Sequence, residues 1–323
     1  MAPTAALLRT VLNTTSYLAP RLAGRAAFAV FRRPAGRSRP RPDELDVLAA
    51  ARTGRITVNG TSVVTYRWGD GTRPVLLVHG WSSRASRFSR FVTALCELGY
   101  SPVSFDAPGH GDSAGRGVTV LELREAIRQS HAEYGRFEAV VAHSFGVLAT
   151  FFALRDGVEA RRVIAIGGVA EFGHALEGFR ARLGLRERII GELRGHAERT
   201  LFRGEPDIWR RLDATYRPEE IDADVLLFHD EDDDMVPLGQ ARALVQAYGG
   251  RPDGGAGVRL VVTRGLGHRR ILGDPEVVAA AVDFVRSEQP GPGPGPGSGS
   301  RSASEGSASE GSAAGPRPGS AVL

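Results

Sequence analysis

The feature of the sequence that most constrains its fold is a stretch in which an apolar run, a serine and a helical segment follow one another without a loop. Residues 139–142 are apolar and predict a buried strand, and residues 145–154 predict a helix. So sharp a turn brings the two backbones nearly into contact, and only small side chains fit two positions before and after Ser144. These positions are Ala142 and Gly146.

Two interpretations of Ser144 follow from this turn. A serine between a strand and a helix is typical of a nucleophile elbow, where the helix dipole and free backbone N–H groups favour developing negative charge. The alternative is a serine that merely caps the helix. The motif reads Ala-x-Ser-x-Gly, with Ala142 where glycine is usual, so the strand–turn–helix context carries the prediction of a nucleophile.

Apolar runs and helical segments alternate through the rest of the chain. Asn59-Gly60 joins two β runs within residues 56–66 and predicts a hairpin. Further strands are predicted at 74–80, 101–105, 162–168, 224–229 and 258–262, and helices at 86–99, 118–134, 238–248 and 275–287. This alternation predicts a mostly parallel, doubly wound α/β sheet, whose functional groups lie at the carboxyl ends of the strands.

Composition divides the 323 residues into three parts. We expect one α/β domain over residues 43–288, and within it a short helical cap at about 169–220, where Arg- and Glu-rich helices are separated by glycines. Residues 289–323 are Gly, Pro, Ser and Ala with almost nothing to bury, which predicts disorder.

Residues 1–42 form a basic, partly helical arm. They contain eight arginines and no acidic residue, and the apolar run is too interrupted for a membrane span or a signal peptide. Two interpretations are open: an amphipathic helix in peripheral contact with an anionic membrane, or an extra helix packed against the domain.

The overall charge argues against a nucleic-acid partner, and the single cysteine leaves no cysteine pair within the chain. All basic residues are arginines and the formal net charge is only +4, so we expect no nucleic-acid partner. Cys96 lies in an apolar helical pattern and is predicted to be a buried small hydrophobe, since no second cysteine exists. We expect a cytoplasmic protein, which the basic arm could also bring to a membrane.

Candidates for a base and an acid follow Ser144 in the chain. A serine hydroxyl needs a base to remove its proton, and the base needs a third group to fix its tautomer. His268 follows the last predicted strand, and an Asp-rich loop at 230–234 follows the strand before it, so both lie on the same rim as Ser144. No His or Cys pair has metal-ligand spacing, and we expect neither a metal nor a cofactor.

These landmarks, in this order, resemble an α/β-hydrolase-fold serine hydrolase of the esterase or lipase type over residues 56–287. The matching segments are His79-Gly80-Trp81, the loop 106–113, the Ser144 elbow, the Asp-rich loop ending in Val236-Pro237, and Gly267-His268. The resemblance implies Ser144 as nucleophile, His268 as base and Asp233, three residues before Val236, as the orienting acid. It also implies that the backbone N–H groups of Trp81 and Phe145 form an oxyanion hole. The other acids of the loop are predicted to be solvated, and His79, His110, His143 and His229 to be structural.

The predicted reaction is cleavage of a small-molecule carboxylic ester or thioester of moderate acyl length through an acyl-enzyme. Other chemistry of the same three residues remains open: C–C bond, peptide or perhydrolase reactions. So does a non-catalytic binding module that kept the fold, because fold alone does not determine chemistry.

Overall fold

The computed structural model of the protein describes residues 3–249 and 257–287. The predicted disorder of residues 289–323 lies outside the described residues. Residues up to Ser287 group into one unit by their internal contacts, and it contains both the helices of the basic arm and the sheet.

The centre of the fold is an eight-stranded sheet with the order β1-β2-β4-β3-β5-β6-β7-β8. The strands are β1 (Arg52–Val58), β2 (Thr61–Arg67), β3 (Pro74–Val78), β4 (Ser101–Phe105), β5 (Ala139–His143), β6 (Arg162–Ile166), β7 (Asp224–Asp230) and β8 (Val258–Thr263). The pairs β4–β3, β3–β5, β5–β6, β6–β7 and β7–β8 are parallel, whereas β1–β2 and β2–β4 are antiparallel. The predicted hairpin and the mostly parallel sheet are confirmed.

Helices cover both faces of the sheet. The α-helices are α1 (Pro3–Leu18), α2 (Pro20–Phe31), α3 (Leu45–Ala49), α4 (Ser89–Glu97), α5 (Val120–Tyr134), α6 (Phe145–Arg155), α7 (Phe172–Leu183), α8 (Glu187–Thr200), α9 (Ile208–Leu212), α10 (Gly239–Tyr248), α11 (Gly267–Arg270) and α12 (Pro275–Arg286). One hydrophobic core lies under α5, α6 and the cap, and a second lies under α4 and α12. Every residue of β3, β4, β5 and β6 is buried, as expected of strands covered on both sides.

The cap consists of α7, α8 and α9, which confirms the predicted helical insertion. The prediction that its glycines separate short helices is wrong for four of them, because Gly173 and Gly178 lie inside α7, and Gly191 and Gly195 lie inside α8. Gly184 does end α7 with φ +62°, a conformation that glycine adopts without strain.

The N-terminal helix α2 packs against the cap. Ala23 and Ala27 are fully buried, and a Cβ added at Gly24 would lie 2.5 Å from the backbone of Glu192 in α8, so small residues permit this close approach. Phe31 contacts the rings of Phe172 and Phe179. The interpretation as an extra packed helix therefore describes α2.

Of the helices within 3–249 and 257–287, none combines the length and hydropathy that a transmembrane span requires.

Cys96 is half-buried against the second core, so the prediction that it is buried is wrong. It lies near the C-terminus of α4 rather than on the face of that helix that is fully buried.

Candidate active site

Ser144 lies at the junction of β5 and α6 in a strained backbone conformation. Its φ of 56° and ψ of −125° are unusual for a residue with a side chain. A Cβ added at Gly146 would lie 2.7 Å from the carbonyl oxygen of Val78, which is the lack of room expected from the sequence. The Ser144 side chain makes no capping hydrogen bond to α6, so the interpretation as a simple helix cap is wrong.

The structure brings Ser144, His268 and Asp233 together, although they are far apart in sequence. Ser144 Oγ lies 2.9 Å from His268 Nε2, and His268 Nδ1 lies 2.7 Å from Asp233 Oδ2. An ionised carboxylate only accepts hydrogen bonds, so His268 Nδ1–H is the donor to Asp233. His268 Nε2 is then left to accept the proton of the Ser144 hydroxyl.

Asp233 differs from its neighbours because backbone amides fix its orientation. Its Oδ1 accepts hydrogen bonds from the N–H groups of Val236 (2.8 Å) and Met235 (2.9 Å), which leaves Oδ2 for His268. The side chain is only 1% exposed. Burial acts to raise the pKa of Asp233, but the hydrogen bond and charge of His268 and the two amides outweigh it and hold the pKa below its usual range. Asp233 is therefore an anion at neutral pH.

Asp230 is the acid whose environment the sequence prediction missed. The sequence predicts a solvated loop residue at this position, but Asp230 is 0% exposed, so that prediction is wrong. Its carboxylate accepts the amides of Leu266 (3.0 Å) and Gly267 (2.9 Å), which directly precede His268. Its place as the last residue of β7, a buried strand, was the available signal. Asp230 therefore ties the His268 turn to the sheet.

Two backbone amides close to Ser144 lack an acceptor in the described residues. Within residues 3–249 and 257–287, the N–H groups of Trp81 and Phe145 have no hydrogen-bond acceptor. Phe145 is the first residue of α6, where the helix dipole favours negative charge. A Cβ added at Gly80 would lie 2.6 Å from Ser144 Cβ, so only glycine lets the loop before Trp81 come this close.

Two histidines hold the loop that carries Trp81. His79 accepts the N–H of Ala107 at Nε2 (3.0 Å), and His110 accepts the N–H of Ser82 at Nε2 (3.1 Å). Burial, reinforced by the nearby His79, lowers the pKa of His110 to about 3, so it stays neutral and keeps its acceptor nitrogen. These contacts agree with the structural roles predicted for both histidines.

His143 and His229 support the other two side chains of the site. His143 Nε2–H donates to the carbonyl oxygen of His268 (2.9 Å), and the two rings are 4.8 Å apart. Burial, with a contribution from His268, lowers the pKa of His143 to about 3. His229 Nε2–H donates to the carbonyl of Val236 (2.8 Å) and so braces the loop of Asp233.

The loop 106–113 contains a further buried carboxylate. Asp106 is 0% exposed and accepts hydrogen bonds from the N–H of Ala85 (2.8 Å), the N–H of Asp112 (2.8 Å) and the hydroxyl of Tyr66 (2.9 Å). The guanidinium of Arg84, itself 2% exposed, lies 3.6 Å from Asp106. This cluster anchors the loop next to the site and does not reach Ser144.

An apolar slot runs between the site and the cap. It is lined by Trp81 and Phe145, by Phe28 and Phe31 of α2, and by Phe172 of the cap, and its volume is about 20 Å³. This is room for only one or two water molecules. Entry of a larger group requires these rings to separate. No group of three or more metal-ligating side chains occurs in the described parts of the chain.

Comparison with known proteins places this arrangement in context. A sequence model of the alpha/beta hydrolase family matches residues 75–281. The fold is similar to that of an esterase from Pyrococcus furiosus (TM-score 0.56, 19% identity, covering 78% of this chain and 96% of the other). It is also similar to a monoacylglycerol lipase from Paleococcus ferrophilus (TM-score 0.53, 23% identity, 69% and 98%) and to a CIB-like hydrolase from Thermoplasma acidophilum (TM-score 0.51, 20% identity, 73% and 98%). No curated protein sequence matches the chain.

Proposed function

Since the chain belongs to the alpha/beta hydrolase family, we propose that it is a serine hydrolase that cleaves a carboxylic ester or thioester. The observation that carries the proposal is the hydrogen-bonded line from Ser144 Oγ through His268 to Asp233. Together with a strained serine at a helix N-terminus, these three groups are the components of acyl transfer.

The proposed mechanism has two acyl-transfer steps. Ser144 Oγ attacks the ester carbonyl carbon while His268 Nε2 takes its proton, and the imidazolium is stabilised by the Asp233 carboxylate. The N–H groups of Trp81 and Phe145 then donate to the oxyanion, an interaction worth about 3 kcal/mol per donor in the transition state. His268 protonates the leaving alcohol or thiol. Water, deprotonated by His268, releases the acid and restores Ser144.

The narrow slot beside the oxyanion donors adds an expectation about acyl length. Because the slot has room for at most one arm of an ester, a short acyl group, which stays at the oxyanion donors, leaves the slot to the leaving-group arm. We therefore expect kcat/KM to be greatest for acetyl and propionyl esters, shorter than the moderate length expected from the sequence.

A fluorophosphonate probe and a panel of nitrophenyl esters test the proposed function. The probe should label Ser144, and Ser144→Ala should lose labelling and turnover. The matched control is Ser130→Ala, which removes the hydroxyl of a different buried serine, on α5. This variant should keep both labelling and turnover. Labelling without turnover of any ester would point to another reaction of the same residues. No labelling of the folded protein would leave a non-catalytic binding module.

We also propose peripheral contact of the N-terminal helices with an anionic membrane. Leu7, Val11, Leu18 and Leu22 are 51–86% exposed on α1 and α2, close in sequence to Arg21 and Arg25. Such a combination binds anionic bilayers through apolar insertion and charge. Flotation with phosphatidylserine vesicles should recover the protein, and Leu7→Ser/Leu18→Ser should reduce recovery. Equal recovery of both would contradict this contact.

A further inference from the structure

A wide basic groove lies next to the apolar slot. Its volume is about 450 Å³, against about 20 Å³ for the slot, and the two share Phe28, Arg32 and Leu201 as lining residues. The slot in turn is lined by Trp81 and Phe145, which carry the oxyanion donors of the proposed function. The groove therefore adjoins the slot across the three shared side chains.

Four arginines and one histidine line the groove. They are Arg25, Arg32, Arg33, Arg116 and His196, and no acidic side chain lies among the described lining residues. Within the chain described by the structure, none of the four guanidinium groups has a carboxylate within 4.0 Å or donates a hydrogen bond to a protein acceptor. Arg128 and Arg180, on the surfaces of α5 and α7, each pair with a glutamate.

Backbone contacts hold these arginines together. The N–H of Val118 donates to the carbonyl oxygen of Arg32 (2.8 Å), which joins the loop after β4 to the end of α2. A Cβ added at Gly117 would lie 2.6 Å from that oxygen, so glycine is needed for this approach, and it places Arg116 beside the end of α2. The amides of Arg32 and Arg33 donate to the helix carbonyls of Phe28 and Val30, which fixes the backbone of both residues at the end of α2.

The electrostatics of the groove fit an anion. Partial burial lowers the pKa of His196, and the positive charges of Arg199 and Arg25 lower it further. Guanidinium groups form paired, charge-assisted hydrogen bonds to phosphate oxygens, and several of them can share one dianion. A phosphate group would therefore reduce the mutual repulsion of the arginines while filling their open donors.

We propose that Arg25, Arg32, Arg33, Arg116 and His196 form a binding site for a phosphate group on the substrate. The inference rests on the proposed function for its role in catalysis, and it names the substrate class as an ester or thioester whose one arm ends in a phosphate. That arm lies along the slot, and the phosphate lies in the groove.

Paired substrates test the role in catalysis. Acetate esters of ω-hydroxyalkyl phosphates with two, four or six carbons are compared with acetates of the same alcohols without phosphate. We expect kcat/KM to favour the phosphate-bearing member of at least one pair by about tenfold or more. Arg33→Gln/Arg116→Gln should reduce that preference by about tenfold, whereas the control Arg136→Gln/Arg242→Gln, two exposed arginines outside the groove, should keep it.

Free phosphate is distinguished from substrate phosphate in the same assay. Inorganic phosphate should compete with the phosphate-bearing ester and should not compete with its neutral partner. If inorganic phosphate inhibits or stimulates both esters alike, and kcat/KM shows no preference for the phosphate-bearing ester, the groove is a site for free anions. That result would overturn the substrate role.

Binding without catalysis separates this inference from the proposed function. Two of the three tryptophans, Trp81 and Trp209, line the slot, so ligand entry should change the intrinsic fluorescence. Octyl phosphate should bind about tenfold more tightly than octanol, and the exposed charge reversal Arg116→Glu should abolish the difference in protein that keeps its circular dichroism spectrum. Equal affinity for both ligands would overturn the phosphate site even if esters are cleaved. If the protein binds octyl phosphate but turns over none of the esters, the proposed function is contradicted instead.

Discussion

Asp106 and Asp233 are two buried carboxylates at the same edge of the sheet, and they differ in the partner that each faces. Asp106 follows β4 and lies 3.6 Å from the guanidinium of Arg84, a permanent cation, with a tyrosine and two amides completing its shell. Asp233 follows β7 and hydrogen-bonds to an imidazole, whose charge can change.

A buried aspartate at this edge of the sheet can therefore have either of two functions, and its partner decides which. A carboxylate paired with arginine, which is a permanent cation, fixes a loop. A carboxylate paired with histidine, with a serine hydroxyl on the far side of the ring, stabilises a proton that arrives and leaves. Four substitutions, in order of decreasing expected effect, test this contrast.

Asp233→Asn should have the largest effect, on turnover. The amide cannot stabilise the imidazolium and favours the wrong tautomer of His268, so kcat should fall by about 10⁴-fold while the protein stays folded. Steady-state kinetics on a nitrophenyl ester and thermal unfolding measure the two. A loss of less than tenfold would remove Asp233 from the mechanism.

Asp106→Asn should act on stability instead. It leaves the buried guanidinium of Arg84 with the exposed Asp112 as its one remaining anionic partner among the described residues, at a cost of about 3 kcal/mol in the free energy of unfolding. Urea denaturation measures this, and kcat of the folded fraction should stay within about tenfold of the native value. A fall in kcat as large as that of Asp233→Asn would erase the contrast between the two carboxylates.

Asp230→Asn should lower both stability and kcat. Its new amide N–H₂ replaces one carboxylate oxygen and faces the N–H of either Leu266 or Gly267, so at least one charge-assisted hydrogen bond is lost, about 2 kcal/mol of stability. Because that turn carries His268, kcat should fall with little change in KM. The pH profile of kcat should keep its shape, since Asp230 positions the histidine without sharing its proton. A KM effect alone would contradict a positioning role.

His143→Gln should change the pH dependence of stability. The folded-state pKa of His143 is about 3, below its ordinary value of 6.5, so the unfolded chain binds this proton first as pH falls. The free energy of unfolding should therefore decrease from about pH 6.5 downward, by up to about 1.4 kcal/mol per pH unit for this residue.

Glutamine can still donate to the carbonyl of His268 but does not titrate, so the slope between about pH 4.5 and 6 should become shallower in the variant. The carboxylates, whose ordinary pKa values are about 3.9 to 4.3, titrate in both proteins alike and cancel in the difference between the two slopes. Urea unfolding at several pH values measures the slope. Identical slopes for the native and variant proteins would contradict a neutral, buried His143.

Much of the architecture was accessible from the sequence because its signals are local. Continuous apolar runs of about five residues predict strands covered on both faces, and this pattern predicted β3, β5, β6 and β7. Asn59-Gly60 predicted the hairpin because both residues accept positive φ, and both adopt it. The order of Ser144, the Asp-rich loop and His268 along alternating strands predicted that they share one rim, and the structure places them in hydrogen-bonding distance.

What remained hidden depends on contacts between distant segments. Nothing near Asp230 in the sequence shows that it accepts the amides of residues 266 and 267, and the packing of α2 on α8 depends on a glycine meeting a helix 168 positions later. The basic groove is also nonlocal, since its arginines come from α2, from the segment after it and from the loop after β4. The sequence by itself determined the order of strands and helices and the residue types available at the sheet edge, because backbone geometry and hydrophobic periodicity act over a few residues. The tertiary structure decided which carboxylate meets the histidine, which arginines stand without a counter-charge and how narrow the slot is, because burial and electrostatic pairing arise only when remote segments pack together.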